Sequence, residues 1–316
     1  MADIATRASY GRALADLGEK YMFAVMDADL SGSTQTKKFA DKFPERFINC
    51  GIAEQNMIGV AAGIAATGMP VFASSFAMFA SGRAYEQIRN SVGHTKLNVK
   101  ICASHAGVTG GEDGATHQFC EDIAIMRSIP GMVVISPADD TEAYAAIEAI
   151  LKYDGPVYCR LGRQAVPVVF DPATYKFELF KAVPLTQGDD CAVFAHGVMI
   201  DRALKSCELF KTKGINISVI DTHTIKPLDE KTVLEYAART RNVVVVEEHS
   251  VIGGLGGAIC ELLSQKLPTP VTRLGINDVF GVSGKAGELL DYYGLSVDGI
   301  ADAIRNSVKN KDGAQK

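Results

Sequence analysis

The sequence predicts an α/β protein of two domains, each a mostly parallel sheet flanked by helices, and three observations carry that reading. Its 316 residues exceed one ordinary hydrophobic core and suit two domains of roughly 100–200 residues each. Short β-branched runs alternate with longer helical patterns, the arrangement that sets parallel strands side by side with crossovers on both faces. The alternation breaks once, in a stretch rich in Pro, Gly and turn residues between 165 and 190, and then restarts. A first domain is therefore expected over 1–170, a linker over 171–189 and a second domain over 190–316.

In the first domain the strand-like runs are FAVMD (23–27), RFINC (46–50), PVFASS (70–75), NVKICAS (98–104), MVVISP (132–137) and PVYCRL (156–161). Helices over 54–67, 82–92 and 140–152 follow from their period and their terminal residues. In the second, DCAVFAH (190–196), INISVID (215–221), NVVVVEEH (242–249) and VTRLGI (271–276) read as strands. One helix is expected from about Ala258 and a last one over 297–308, with the polar stretch 309–316 frayed. No repeat of about 20–50 residues is present, which excludes a solenoid.

Composition removes several functional classes. The formal charge of −5, with Lys and Arg spread along the chain, gives no general attraction for nucleic acid or an anionic membrane. Seven cysteines, an odd number without a CxxC pair and mostly in apolar stretches, read as reduced, buried thiols of a cytoplasmic protein. The N-terminus lacks the apolar core of a signal peptide. The longest weakly polar run, 57–68, is too short and too rich in Gly and Ala to span a bilayer.

The segment RFINCGIAEQNMIGVAAGIAATG passes from a strand through Gly51 into a helix whose first turn carries Glu54. An acidic residue there has an ordinary explanation, because carboxylates favour the positive end of the helix dipole. Phe76 and Phe79, three apart just beyond the next strand, read by themselves as core. The loop SHAGVTGGEDGATHQ differs, setting His105, Asp113 and His117 among four glycines at a strand end, where open α/β sheets bind ligands. A connection that only closes a core needs neither that polarity nor that much glycine. Taken singly, Asp113 and His117 read equally well as loop caps. VVVVEEHSVIGGLGGAICELL sets Gly253, Gly254, Gly256 and Gly257 between a strand and a helix, but the spacing is not G-x-G-x-x-G. Close backbone packing is expected there, with an anion at the helix N-terminus as the alternative.

GIAEQNM, SSFAMF, GGEDGATHQ and GRQAVP, in this order and spacing, resemble the pyrimidine-binding domain of transketolases, and the resemblance runs from about Ala5 to Ile304. GIAEQ is similar also in the β subunits of 2-oxo-acid dehydrogenases and in deoxyxylulose-phosphate synthases, whereas GGEDGATHQ favours transketolase. The resemblance implies that Glu54 hydrogen-bonds the pyrimidine ring nitrogen of thiamine diphosphate from an apolar pocket. There it would favour the imino tautomer whose exocyclic nitrogen removes the C2 proton. Phe76 and Phe79 would flank and stack on the pyrimidine, and Asp29 would line the cofactor cavity. His117 would stand beside the first hydroxyls of the donor sugar and Asp113 would read a hydroxyl near the reacting carbon, so Glu54 and His117 are the expected catalytic residues. Arg7 in ATRASYG, Ser33 in ADLSGS, His105 in SHAG and Arg163 in GRQAVP resemble the family's sugar-phosphate cradle. Each alone reads as a surface residue.

Some features depart from the family pattern. Gly82 stands where transketolases often carry a third aromatic, so the pyrimidine pocket is expected to be looser or filled from elsewhere. Arg83, in FASGRAYEQ, is similar instead to the deoxyxylulose-phosphate synthases. The Gly-Asp-Gly and downstream Asn that supply oxygen ligands to Mg²⁺ in this superfamily have no counterpart of weight: Gly188-Asp189-Asp190 lies at a domain boundary ahead of Asn216. No residue of this chain is expected to bind metal. The resemblance thus implies a partner, an N-terminal-half, diphosphate-binding transketolase subunit that ligates the Mg²⁺, joined in an α2β2 assembly acting on sugar phosphates. The alternatives are half of a 1-deoxyxylulose-5-phosphate-synthase-like enzyme taking pyruvate, and a non-catalytic regulatory paralogue, against which intact Glu54, Asp113 and His117 speak.

Overall fold

The computed structural model describes residues 2–314. Its strands, in chain order, are β1 (Ile4–Ala5), β2 (Ala24–Asp27), β3 (Phe47–Asn49), β4 (Val71–Phe76), β5 (Val99–Ser104), β6 (Val133–Ile135) and β7 (Val157–Arg160). They continue with β8 (Ala165–Val166), β9 (Val183–Pro184), β10 (Cys191–Ala195), β11 (Ile217–Asp221), β12 (Thr224–Lys226), β13 (Val243–Ser250) and β14 (Val271–Ile276). A seven-stranded sheet in the order β12-β6-β7-β5-β4-β2-β3 forms the first domain, and a five-stranded sheet in the order β14-β13-β10-β11-β9 forms the second. Within each sheet the pairings are parallel except at one edge, where β12 meets β6 and β9 meets β11 in antiparallel fashion. The central strands are buried along their whole length, as covering both faces with helices requires. The two α/β units with mostly parallel sheets are those the strand–helix rhythm predicts.

Two pairings tie the units together in ways periodicity does not reveal. Strand β12 belongs to the C-terminal half yet completes the first sheet, with Thr224 opposite Ile135. Strand β9 joins the second sheet from within the stretch expected as linker, and Phe177, Leu179 and Phe180 just before it pack on the first domain's core. A third pair, β1 with β8, sets Ile4 opposite Val166 and so brings the chain before Arg7 alongside the chain after Arg163.

The helix Asp140–Lys152 lies where its period predicts, its N-terminus capped by Asp139, which accepts from the Glu142 N–H at 2.8 Å. The expected helix over 82–92 is instead a wide π-helical turn over Met78–Arg83, one α-turn and a second π-helical turn over Ile88–Gly93. The helix expected from Ala258 begins at Leu255, because the buried Glu247 carboxylate on β13 accepts the N–H groups of Leu255 (2.7 Å) and Gly256 (2.9 Å). The anion at this helix N-terminus is therefore the protein's own. A β-carbon at Gly254 would collide with that carboxylate, which accounts for the glycines as close packing. The last helix, Val297–Ala314, continues through most of the stretch expected to fray; residues 315–316 lie outside the described ones. Cys102, Cys120, Cys159, Cys191 and Cys207 are buried as expected, whereas Cys50 and Cys260 are only half-buried. No described helix is long and apolar enough to cross a membrane.

The domain boundary is ionic as well as apolar. Arg160, at the end of β7, donates to Asp122 (2.9 Å) and to the Glu248 carbonyl (2.7 Å), Tyr158 donates to the same Asp122 oxygen (2.7 Å), and the Thr109 N–H donates to Glu248 (2.6 Å). All of these groups are buried.

Candidate active site

Strands β7, β5, β4 and β2 are neighbours in the first sheet, and the segments leaving their C-terminal ends carry most of the residues singled out above. This is the edge at which a parallel α/β sheet collects loops from separate parts of the chain.

Glu54 is the first residue of the helix Glu54–Ala66, which has no side-chain cap at its N-terminus. Its carboxylate is 1% exposed and accepts from Ser75 Oγ at 3.1 Å and from Arg83 Nη1 at 2.7 Å. The pocket is thus not the purely apolar one expected, because a half-exposed guanidinium reaches into it to meet the buried charge. The same guanidinium lies over the Phe79 ring, 4.6 Å from its centroid. Phe76 and Phe79 form a near-parallel pair with centroids 6.0 Å apart, and this aromatic floor continues into His105, 3.8 Å from Phe76, and His117, edge-on to Phe79 at 5.2 Å.

His105 follows β5 directly and is held at φ 61°, a left-handed conformation that costs a non-glycine residue energy and collects at functional sites. Its Nδ1 pairs with Ser104 Oγ at 2.9 Å and its Nε2 faces Arg7 Nη1 at 3.5 Å. Burial, then Arg7 and Arg163, push His105 down to about 3, so the ring is neutral and Nε2 can accept. Arg7 is itself lowered by burial and by Arg163. It bonds the Ser33 carbonyl at 2.7 Å, while Arg163 bonds the Gly110 carbonyl and Glu112, both at 2.7 Å. A β-carbon on Gly111, which has φ 76°, would sit 2.8 Å from Arg163, so the loop must be glycine for the arginine to lie against it. Two mutually repelling guanidiniums around a neutral imidazole form a site whose electrostatics an anion would relieve.

Arg7, Ser33, His105 and Arg163 therefore converge, as do Glu54, Phe76 and Phe79, and His105 and His117 link the two groups along the aromatic floor. Asp113 is exposed on the glycine loop and close enough to Arg7 to raise it. Asp29, held at φ 65°, is also exposed; its N–H and carboxylate pair with Asn49, and the structure does not tie it to Glu54. At Gly82 a β-carbon would meet Met78 at 3.3 Å and Phe119 at 3.4 Å, so the space beside this residue is filled from elsewhere. Sequence reasoning missed the Arg83 and Ser75 contacts to Glu54 and the Glu112 contact to Arg163, although these residues lie within SSFAMF, GGEDGATHQ and FASGRAYEQ. Asp190 accepts the Asn216 N–H at 2.7 Å, and among the described residues no group of three or more His, Cys, Asp or Glu is placed to hold a metal.

Comparison with known proteins identifies both domains. The family model for the transketolase pyrimidine-binding domain matches residues 2–169, and the model for the transketolase C-terminal domain matches residues 181–300. A Methanocaldococcus jannaschii protein provisionally named as a transketolase C-terminal section is 52% identical over 96% of each chain. A 6-deoxy-6-sulfo-D-fructose transketolase subunit from a Clostridium species is 42% identical over 91% of this chain and 89% of its own. The solved structure of a split-gene transketolase, an inactive β4 tetramer, superposes with a TM-score of 0.90 at 47% identity, covering 97% of this chain and 99% of that one. The chain belongs to the transketolase family and comprises its pyrimidine-binding and C-terminal domains.

Proposed function

We propose that this chain is one half of a two-chain transketolase that moves a two-carbon ketol unit between sugar phosphates once a separate subunit holds the cofactor's diphosphate and its Mg²⁺. The observation that carries the reading is the meeting, on one sheet edge, of a buried carboxylate beside an aromatic floor and a histidine–arginine cradle. The residues present fit the pyrimidine of thiamine diphosphate: Glu54 offers a buried acceptor and Phe79 a ring face, and the planar guanidinium of Arg83 already makes contacts of this kind with both. When bound, thiamine diphosphate supplies the electron sink for carbanion chemistry.

The chain's own residues would do the rest. Glu54 would hold the proton at the pyrimidine ring nitrogen, with Ser75 fixing the carboxylate and Phe76 and Phe79 keeping water from that bond. His117 and Asp113 would meet hydroxyls at the reacting end of the sugar. Arg7, Arg163, His105 and Ser33 would hold the oxyanion at the far end, and Asp29 would line the cofactor cavity from the neighbouring loop. A subunit similar to this chain is named for a sulfo-sugar, and a cradle of guanidinium and imidazole groups suits a sulfonate as well as a phosphate.

The helix Glu54–Ala66 leaves Gly59, Val60 and Gly63 uncovered, with Ile52 79% exposed at its start. β-Carbons at Gly59 and Gly63 would meet nothing within 4 Å, which suits close docking of the diphosphate-binding subunit beside Glu54. That a similar split transketolase forms an inactive β4 tetramer accords with an activity that needs another chain. We take the complete enzyme to be a cytoplasmic α2β2 assembly of the pentose phosphate pathway. The pyruvate-using alternative rests on Arg83, whose guanidinium is engaged with Glu54.

The test mixes the chain with a diphosphate-binding transketolase subunit, thiamine diphosphate and Mg²⁺, and offers xylulose 5-phosphate plus ribose 5-phosphate in parallel with pyruvate plus glyceraldehyde 3-phosphate. Turnover of the first pair only by the mixture is expected. Turnover of the second pair alone would replace the reading with the synthase, and turnover of neither by a formed complex would favour a regulatory role.

A further inference from the structure

The thiamine reading does not account for Arg83. Its guanidinium makes two contacts at once, an N–H···O bond of 2.7 Å to Glu54 Oε2 and a face-on approach of 4.6 Å to the Phe79 centroid. The partners are unequal: the Glu54 side chain is 1% exposed, whereas that of Arg83 is 46% exposed. The arginine therefore reaches inward from solvent to satisfy a charge that cannot reach outward. Its base is in the π-helical turn Met78–Arg83, a wider turn than the α-helix and one found often at functional sites.

We propose that Arg83 is a placeholder for the cofactor's pyrimidine, occupying Glu54 and the Phe79 face in the cofactor-free chain and swinging toward solvent when the ring enters. The inference rests on the thiamine diphosphate reading. A planar, cationic N–H donor bonded to a carboxylate and lying on an aromatic face presents the same two surfaces as a protonated aminopyrimidine, so both cannot be in place together. A buried carboxylate without a partner is costly, and the placeholder removes that cost until the cofactor arrives. Arg83 is then a positioning residue that competes with the cofactor, and cofactor entry must displace it.

This predicts effects of opposite sign for Arg83→Met. In the cofactor-free chain its thermal midpoint should fall by a few degrees. The fall should largely vanish in a Glu54→Gln background, a coupling that reports the ion pair itself. In the complex with the diphosphate-binding subunit and Mg²⁺, thiamine diphosphate should bind Arg83→Met as tightly as the parent or several-fold tighter, by calorimetric titration. Arg83→Lys, which keeps the charge without the plane, should lie between on both measures and guards against loss of fold. Weaker binding of thiamine diphosphate to Arg83→Met, or no coupling with Glu54→Gln, overturns the placeholder and makes Arg83 a permanent part of the site or a surface residue. A parent complex that binds no thiamine diphosphate overturns the thiamine reading together with this one, so the two failures are distinct.

Discussion

Two polar clusters lie within the first domain's reach, one at the domain boundary and one at the loop edge of the sheet, and they differ in what their charges leave over. At the boundary, Arg160 donates to Asp122 and to the Glu248 carbonyl, Tyr158 donates to the same Asp122 oxygen, and the Thr109 N–H donates to the Glu248 carboxylate. Burial alone would lower Arg160, but Asp122 and Glu248 beside it carry it above its ordinary value. At the loop edge two arginines face one another and a neutral histidine, both arginines are partly exposed, and much of their bonding is to backbone carbonyls. The first arrangement sets one arginine between two buried carboxylates, and the second sets two arginines beside a single ion-paired surface carboxylate, Glu112. Burial and ion pairing therefore do not by themselves mark a functional site; the balance of charge differs between the two clusters.

The comparison can be broken at several points. The largest effect is expected at Glu54: Glu54→Gln should leave the fold intact and lower kcat of the assembled enzyme by about 10²–10⁴-fold, the ordinary range for a lost general acid–base group. Steady-state kinetics at saturating cofactor check it. A loss below about tenfold with normal cofactor occupancy would return Glu54 to a helix-terminus role.

Next comes the boundary cluster. Arg160→Met removes the cation from two buried carboxylates and should destabilise the chain by about 3–5 kcal/mol, measured by denaturant unfolding. Where the variant still folds, its KM for sugar phosphates should stay near the parent's, because Arg160 contacts Asp122 and Glu248 rather than Arg7, His105 or Arg163. A variant as stable as the parent would show that the boundary charges are as replaceable as surface ones.

Arg163→Ala should act the other way, sparing stability and raising KM. The loss of one charge-assisted contact to the oxyanion corresponds to about 1.5–3 kcal/mol, with a smaller effect on kcat. Unphosphorylated ketols such as erythrulose should be used almost equally by parent and variant. Equal impairment of phosphorylated and unphosphorylated substrates would move Arg163 into the structural class, with Glu112 as its ion-pair partner.

Much of this was legible in the chain before folding, for reasons that separate the two clusters. The helix over 140–152 announces itself because its buried residues Ala143, Ala146, Ile147 and Ile150 recur at the helical period. The cradle was legible only through motif order, since Arg7, Ser33, His105 and Arg163 are brought together by strand order and by the β1–β8 pairing. The boundary cluster left no trace, because Asp122, Arg160 and Glu248 lie in three elements with no shared period. The same holds for Glu247, which caps the helix Leu255–Lys266 from a strand, and for β12, a strand of the second half that pairs with the first sheet. The helix over 82–92 was misjudged because π-helical turns keep a helical composition while changing the register.

The smallest effect separates histidines inside and outside the cradle. His105 and His223 are both pushed down to about 3, His105 by burial beside Arg7 and Arg163, and His223 by burial alone, partly offset by Asp229, where it stacks on Phe177. Each has an unfolded value near 6.5, so between about pH 6.5 and pH 3 the unfolded chain binds protons that the folded chain refuses. Stability from each is full above the unfolded value and is lost as pH falls through that window, by at most on the order of 2 kcal/mol per histidine at pH 5. His105→Gln and His223→Gln should each flatten the fall of the thermal midpoint between pH 7 and pH 5. An anion in the cradle would oppose the two arginines and ease protonation of His105. Saturating inorganic phosphate should therefore reduce the acid sensitivity assigned to His105 and leave that of His223 unchanged. If phosphate alters the pH slope of His105→Gln as much as that of the parent, the anion is not bound beside His105, and the cradle loses its distinction from the boundary cluster.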